Sequence, residues 1–567
     1  MKSPLNILFI NIPPVCIDMK HQSDNTVPFY VFPPMGIVTL ALQLYGKEYV
    51  GKIELLDFGL FDFSEFTEDF NYTEFIHAKI KEKSKNTVYD IISISVKFSS
   101  SHDFFEIVVN EAHSIFHESF IICGGVHATV STEFILNNIE HVDYIIRGEG
   151  EISLPLLLRE IHSQNTLKSL HQFIPNIPGV IHKESCNVGA NFSSAHCLTV
   201  SELSQDIDIN YNLYPKILDL DCYTSRLFLF NLNADDIHTK AFPVMASRGC
   251  PVRCTFCAVQ TVSGTKPRWR TINNVREEIM WLHRQYGVTR IHLMDDNFVP
   301  KKKAIELFEM LCSLPIENLD VVIQNMSVNH TSFEIIDLIA KARIKTITFA
   351  IESGSVEMQK KINKRCDLDK AKELVEYAQQ KGLSVRCFYM IGFPGETLSQ
   401  MHETIEVAEK IGADWSSFFV ATPYPGTKMY DEFIALGCIQ DSPEFWSVST
   451  IRNRVFDTDE FSAEELKKLA YEANLKVNFV NSPYITKKEY QKGKVIFENF
   501  VSIYKYHILA YDCLRRINLE LGNVSDAESY MTIMKNKLRD DKKSAHFKQY
   551  LYLLDEKVVT AITEQNV

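Results

Sequence analysis

Residues 1–165 alternate short runs rich in β-branched and aromatic residues with amphipathic stretches, and no other feature restricts the fold of this chain so tightly. The runs read NILFINI (6–12), KIELLDF (52–58), DIISISV (90–96), SFIICGG (119–125) and VDYIIRG (142–148). Apolar-periodic segments near 36–46, 102–116, 131–138 and 151–163 separate them. Strict alternation of this kind predicts βαβ units and an α/β, Rossmann-like doubly wound parallel sheet covered on both faces. The alternation resumes with AFPVMAS (241–247), RIHLMDD (290–296), DVVIQNM (320–326), KTITFAI (345–351), VRCFYMI (385–391) and WSSFFVA (415–421). Six such repeats predict a central (β/α)6 partial TIM barrel, with its chemistry at the carboxyl ends of the strands. The expected domains are therefore residues 1–165, a linker or insertion over 166–240, the barrel over 241–438, and a C-terminal helical region over 439–567.

Composition excludes several classes. A chain of 567 residues is too long for one core. A net charge of −13 argues against nucleic acid as the main partner, since a phosphate backbone needs a basic surface. No stretch reaches the roughly 18 apolar residues of a membrane span, and the N-terminal run lacks a secretion cleavage site. The cysteines number 13, odd and mostly scattered, which reads as reduced thiols in a cytoplasmic protein rather than a disulfide framework.

One cysteine group is clustered, in SRGCPVRCTFC (247–257) after the first barrel strand. Three thiolates spaced C-x3-C-x2-C suit a [4Fe–4S] cluster that keeps one iron open to a small ligand. A Cys3His zinc site with His238 as the fourth donor is the alternative on these residues alone.

The triplet is followed in order by MDDNF (294–298), IESGS (351–355), MIGFPGET (390–397) and ATPYPGT (421–427). Together they resemble the radical S-adenosylmethionine (SAM) superfamily over residues 241–435. The resemblance implies an iron–sulfur cluster on Cys250, Cys254 and Cys257, whose open iron chelates S-adenosyl-L-methionine and cleaves it to a 5′-deoxyadenosyl radical. It implies Asp295, Asp296 and Asn297 as candidates for the SAM ammonium, and Glu352 and Ser353 for its polar groups. Gly392, Pro394 and Gly395 would shape the adenine site through their backbone. Paired carboxylates at a strand end also have a structural reading, solvated or paired with Arg270, and Arg268 and Arg270 either pair with a carboxylate or stand exposed at the surface. An external electron donor such as flavodoxin or ferredoxin and a small-molecule substrate follow from the same resemblance.

In the first domain, three loops stand at strand carboxyl ends, where open α/β sheets bind ligands: NIPPVC (11–16), GGVHAT (124–129) and GEGE (148–151). With PPMGIVTLALQL (33–44) they resemble the cobalamin-binding domain found in one large radical SAM class, the class B methyltransferase-like enzymes. The D-x-H-x-x-G motif that supplies a lower histidine ligand elsewhere is absent. The resemblance implies cobalamin held among Pro14, Gly124, Gly125, His127, Gly148, Glu149 and Gly150. Loop packing is the competing role for His127, and capping of the helix near 151 for Glu149 and Glu151. The expected activity is methyl transfer to an unactivated carbon or phosphorus of a small molecule or natural product. A cyclisation, ring contraction or oxidation using the same cofactors is the alternative, and an iron–sulfur sensor the non-enzymatic one. No catalytic residue is assigned, and the C-terminal aromatic residues read as core.

Overall fold

The computed structural model describes residues 3–14, 32–63, 70–164, 177–182, 207–226, 240–342, 344–448 and 455–563. His238 and Cys16 lie outside them. The chain forms two compact units. The first gathers the described residues of 1–228, 240–319 and 422–456, the second those of 320–421 and 457–567.

The first unit is built on a six-stranded sheet of order β2-β1-β3-β4-β5-β6. Its strands are β1 (Leu5–Asn11), β2 (Val50–Asp57), β3 (Ile91–Ser95), β4 (Phe120–Gly124), β5 (Tyr144–Ile146) and β6 (Val180–His182). The first five pair in parallel. The three-residue β6 joins β5 antiparallel, an edge strand that lies beyond residue 165. The period of two within each strand sorts its side chains onto two cores. Leu8, Ile10, Ile92, Ile94, Ile121 and Cys123 face one way, against Ile76 and Ile80 of the helix Tyr72–Ser84 and Phe104, Phe105 and Val108 of the helix His102–Ile115. Ile7, Phe9, Ile91, Phe120 and Ile122 face the other. They meet Ile37, Ala41 and Leu44 of the helix Met35–Leu44, and Leu154, Leu157 and Leu158 of the helix Ser153–Gln164. Each fully buried Ile or Phe contributes roughly 1.5–3 kcal/mol, so the two-sided pattern of hydrophobic residues fixes the register of every strand.

Further along, β7 (Ala241–Val244) pairs in parallel with β10 (Arg290–Leu293). Between them lies a small antiparallel hairpin, β8 (Ser247–Arg248) with β9 (Arg268–Trp269). The helix Ile272–Tyr286 starts at Thr271, whose side chain accepts from the Asn274 amide, and stops at Gly287 in the left-handed region (φ 67°).

In the second unit β11 (Asp320–Met326), β12 (Thr346–Glu352), β13 (Ser384–Ile391) and β14 (Trp415–Val420) run parallel, each followed by helix. The helix Ala463–Leu475 and the π-helical turn Lys476–Val480 lie along β14. Asn474 accepts from the Phe418 amide (3.1 Å) and donates to the Phe418 carbonyl (3.1 Å). Asn478 does the same with Ser416, at 2.8 and 2.7 Å. Two side-chain amides one turn apart thus stand in for part of a neighbouring strand. The remaining C-terminal helices close their own apolar core, which includes Phe497, Phe500 and Tyr484, while Tyr490, Tyr504 and Tyr506 pack against it.

Candidate functional site

The cysteine loop follows β8 directly. Gly249 takes φ 88°, and a Cβ there would sit 2.7 Å from the Lys266 carbonyl, so only glycine fits. The Cys250 amide donates to the Gly264 carbonyl (3.2 Å) and the Cys257 amide to the Cys254 carbonyl (3.3 Å). None of the three is in a disulfide; Cys254 is buried and the other two are partly exposed. Three thiols within eight residues are the donor chemistry an iron–sulfur cluster needs. Among the described residues, no three or more His, Cys, Asp or Glu side chains are gathered into a metal-holding group.

The residues of MDDNF turn toward this loop. The Gly249 amide donates to Asp296 Oδ2 (2.8 Å), and Asn297 Nδ2 lies 3.6 Å from Cys250 Sγ. Asp295 faces the strand behind, accepting from the Ser247 hydroxyl (2.5 Å) and the Ala246 amide (3.3 Å). Burial pushes its carboxyl up to about 7, against the pull of these two donors. Arg270 pairs with neither aspartate; it bonds Glu278 (2.5 Å) and Asn274 (2.8 Å) on the following helix.

The loop after β5 carries Gly148, Glu149 and Gly150. The helix behind it starts only at Ser153, and both glutamates are engaged elsewhere. Arg268, 6% exposed, forks onto Glu149 with two bonds of 2.7 Å. Arg248 reaches Glu151 (2.5 Å) and Glu149 (3.4 Å). Glu151 also accepts from Thr39 (3.2 Å). The Gly148 amide (φ 72°) is held by Thr129 Oγ1 at 2.9 Å.

At the end of β4, Gly124 has room for a Cβ, whose nearest neighbour would be the Ile146 carbonyl at 3.7 Å. Gly125 does not: its φ is 99°, and a Cβ would sit 2.4 Å from the Val96 carbonyl. Packing against its own sheet therefore demands Gly125, whatever the loop binds. His127 is fully buried, its Nε2 2.9 Å from His102 Nδ1 and its Nδ1 3.0 Å from Ser99 Oγ. Both nitrogens are engaged, which leaves none for a metal in this arrangement. Burial lowers the pKa of His127 to about 3 and of His102 to about 4. Trp446 packs edge-on against both rings, 5.2 and 5.3 Å away, and donates to Tyr430 (3.0 Å) and Asp441 (3.1 Å). Pro14 is exposed just past β1, and the neighbouring Pro13 carbonyl accepts from Ser101.

The ATPYPGT segment and the helix turn that follows it lie against the helix Val126–Val130 and the cysteine loop. A Cβ on Gly426 would strike Val130 at 2.3 Å, and the Met429 amide donates to the carbonyl of Thr255, between the second and third cysteines (2.9 Å).

In the second unit Glu352 ends β12 with φ 70°, a left-handed conformation rare for a side chain of this size, and binds Lys364 at 2.7 Å. Ser353 is fully buried and fastened to Thr404 (3.4 Å) and the Ser355 amide (3.2 Å). At the end of the adjacent β13, Gly392 and Phe393 donate their amides to Glu396, at 2.6 and 3.0 Å. Gly392 and Gly395 take φ 89° and 61°, with Pro394 between them. Composition gave no signal for His102, Trp446, Arg248, Thr404 or Lys364. Each matters through a partner distant in sequence.

A family model described as the radical SAM superfamily matches residues 244–408, and one described as a B12-binding domain matches residues 26–158. An uncharacterized methyltransferase of Pyrococcus horikoshii is 28% identical over 78% of this chain and 86% of its own length. Cytidylyl-2-hydroxyethylphosphonate methyltransferase of Streptomyces wedmorensis is 24% identical, over 78% and 85%. Among solved structures, the radical SAM methyltransferase TsrM of Kitasatospora setae aligns over 77% of each chain, with a TM-score of 0.57 at 15% identity, a likeness of fold. The chain is a member of the radical SAM superfamily. More particularly, it is a cobalamin-dependent enzyme of that superfamily, with a B12-binding domain ahead of the radical SAM domain, and its cofactors are a [4Fe–4S] cluster, SAM and cobalamin. Among the described residues no helix is long and apolar enough to cross a membrane.

Proposed function

We propose that this chain methylates an unactivated carbon or phosphorus centre of a small molecule. The observation that carries the reading is the direct tie, within one compact unit, between the loop of the B12-binding domain at Glu149 and the cysteine-bearing hairpin at Arg268. Relatives named as methyltransferases that align along most of the chain support it. When bound, the cluster and SAM supply a hydrogen-abstracting radical, and cobalamin supplies a methyl carrier.

The chain's own work is positioning. Cys250, Cys254 and Cys257 hold the cluster. Asp296 fixes the Gly249 turn, and Asn297 lies beside the Cys250 sulfur. Asp295, turned onto Ser247, orients the strand end rather than meeting SAM. Glu352, braced by Lys364, presents the polar edge for SAM, while Gly392, Pro394 and Gly395 give it a backbone wall. Gly124 and Gly148 offer backbone to cobalamin, with Glu149 and Gly150 completing that loop. Electrons come from a flavodoxin or ferredoxin.

The test is anaerobic reconstitution with iron, sulfide and hydroxocobalamin, followed by SAM and a reductant. S-adenosylhomocysteine is expected only from the cobalamin-loaded protein, and 5′-deoxyadenosine with or without cobalamin. Alanine at all three cysteines should reduce bound iron to background and stop both products. Deoxyadenosine without any cobalamin-dependent S-adenosylhomocysteine would transfer the assignment to rearrangement or oxidation.

A further inference from the structure

Arg248 and Arg268 face each other across the two-residue ladder of β8 and β9, and both side chains point their charge at one loop. The Arg268 fork fixes distance and plane together, because a guanidinium and a carboxylate match only in that arrangement. Arg268 Nη2 also donates to the Ser263 carbonyl (2.9 Å), so the far end of the cysteine loop shares the anchor. One residue past Arg248 comes Gly249, and then the first cysteine. On the opposite side, Glu149 stands between Gly148 and Gly150, two positions assigned above to cobalamin.

Two arginines and two glutamates make a neutral set, shut away from solvent, with side-chain exposures of 5–14%. Separating any member leaves a buried charge without its partner, which is costly. A movement of either loop is therefore passed to the other or resisted by both.

We infer that the Glu149–Arg268 and Glu151–Arg248 pairs link the two cofactor sites, so that a bound cluster tightens the hold on cobalamin and bound cobalamin tightens the hold on the cluster. The reciprocity is a thermodynamic requirement once either effect exists. Arg248 and Arg268 are positioning residues in this account; they act through the loops and touch no reacting atom. The inference rests on the cofactor assignment made above.

Full-length protein, cluster-loaded or anaerobically stripped of iron by a chelator, would be titrated with hydroxocobalamin and the Kd read from absorbance. The cluster-loaded form should bind about tenfold more tightly, within the range usual for coupled sites. Glu149→Leu combined with Arg268→Met removes both charges at similar volume, and should bring the two Kd values together while thermal unfolding stays cooperative. Arg268→Lys keeps the charge but loses the fork and should give an intermediate ratio. Iron release to the chelator, timed with and without hydroxocobalamin, measures the reverse effect in each protein. A purely structural staple would weaken both states equally and leave the ratio alone. Equal Kd values in the unmutated protein, or an undiminished ratio in the double variant, would overturn the linkage. No uptake in either state would overturn the cofactor assignment as well, so the two failures are distinguishable.

Discussion

Asp295 holds the Ser247 hydroxyl and the Ala246 amide from a position closed to solvent, with its carboxyl raised to about 7. An unfolded aspartate titrates near 3.9. Between those values the folded protein keeps a proton that the unfolded chain has lost, so this group's contribution falls as pH rises from about 4 to about 7 and is level above. Asp295→Asn should therefore gain about 1–3 kcal/mol relative to the parent on going from pH 5 to pH 8, read from urea midpoints at the two pH values. His102 and His127 act in the opposite sense. Their folded pKa values are depressed, so the stability they contribute is present above about 6.5 and is lost as pH falls toward 4. The two effects overlap in the parent, and only the difference between variant and parent isolates the aspartate. That a carboxylate would stand at this strand end was legible in MDDNF. Which way it turned was not, because Asp295 takes Ser247 and Ala246 while Asp296 takes Gly249, partners 47–49 residues away.

The edge of β14 is managed by the helix–π-turn element that follows it. Asn478→Ala should cost about 2–4 kcal/mol, since it strands the buried amide and carbonyl of Ser416 together. Thermal unfolding of the variant checks this, and a loss below 1 kcal/mol would mean that water replaces the amide. The two asparagines are visible in the sequence as an i, i+4 pair. Their target is not, since helical spacing names a face and not the strand it covers. Elements with several periods were legible: β11 spans the 320–326 run as read, and both cores of the first sheet follow from alternation. Elements of two or three residues carry no period, so the β8–β9 hairpin and β6 escaped notice. Arg268 was read as paired with a carboxylate or exposed; it is buried on Glu149, a choice made by the hairpin, which is itself invisible at that length.

For the molecule as a whole, the sheet domain does not stop at residue 165. β6 covers the edge of β5, and Tyr223 donates its hydroxyl to the buried Asp57 carboxylate, which burial drives upward. A fragment of residues 1–165 should therefore be less soluble and less cooperative in unfolding than one of residues 1–226, compared by sedimentation and circular dichroism. Equal behaviour would show that the later segment only decorates the sheet. The Glu149–Arg268 bond also imposes an order of events on synthesis. Its partners are 119 residues apart, and at about 5–20 residues per second the arginine is made roughly 6–24 s after the glutamate. Throughout that interval Glu149 lacks the guanidinium that later forks onto it, and its carboxylate must stay hydrated. The ribosome thus delivers a sheet whose rim at the loop after β5 is unfinished, and the rim closes only when the cysteine hairpin has emerged.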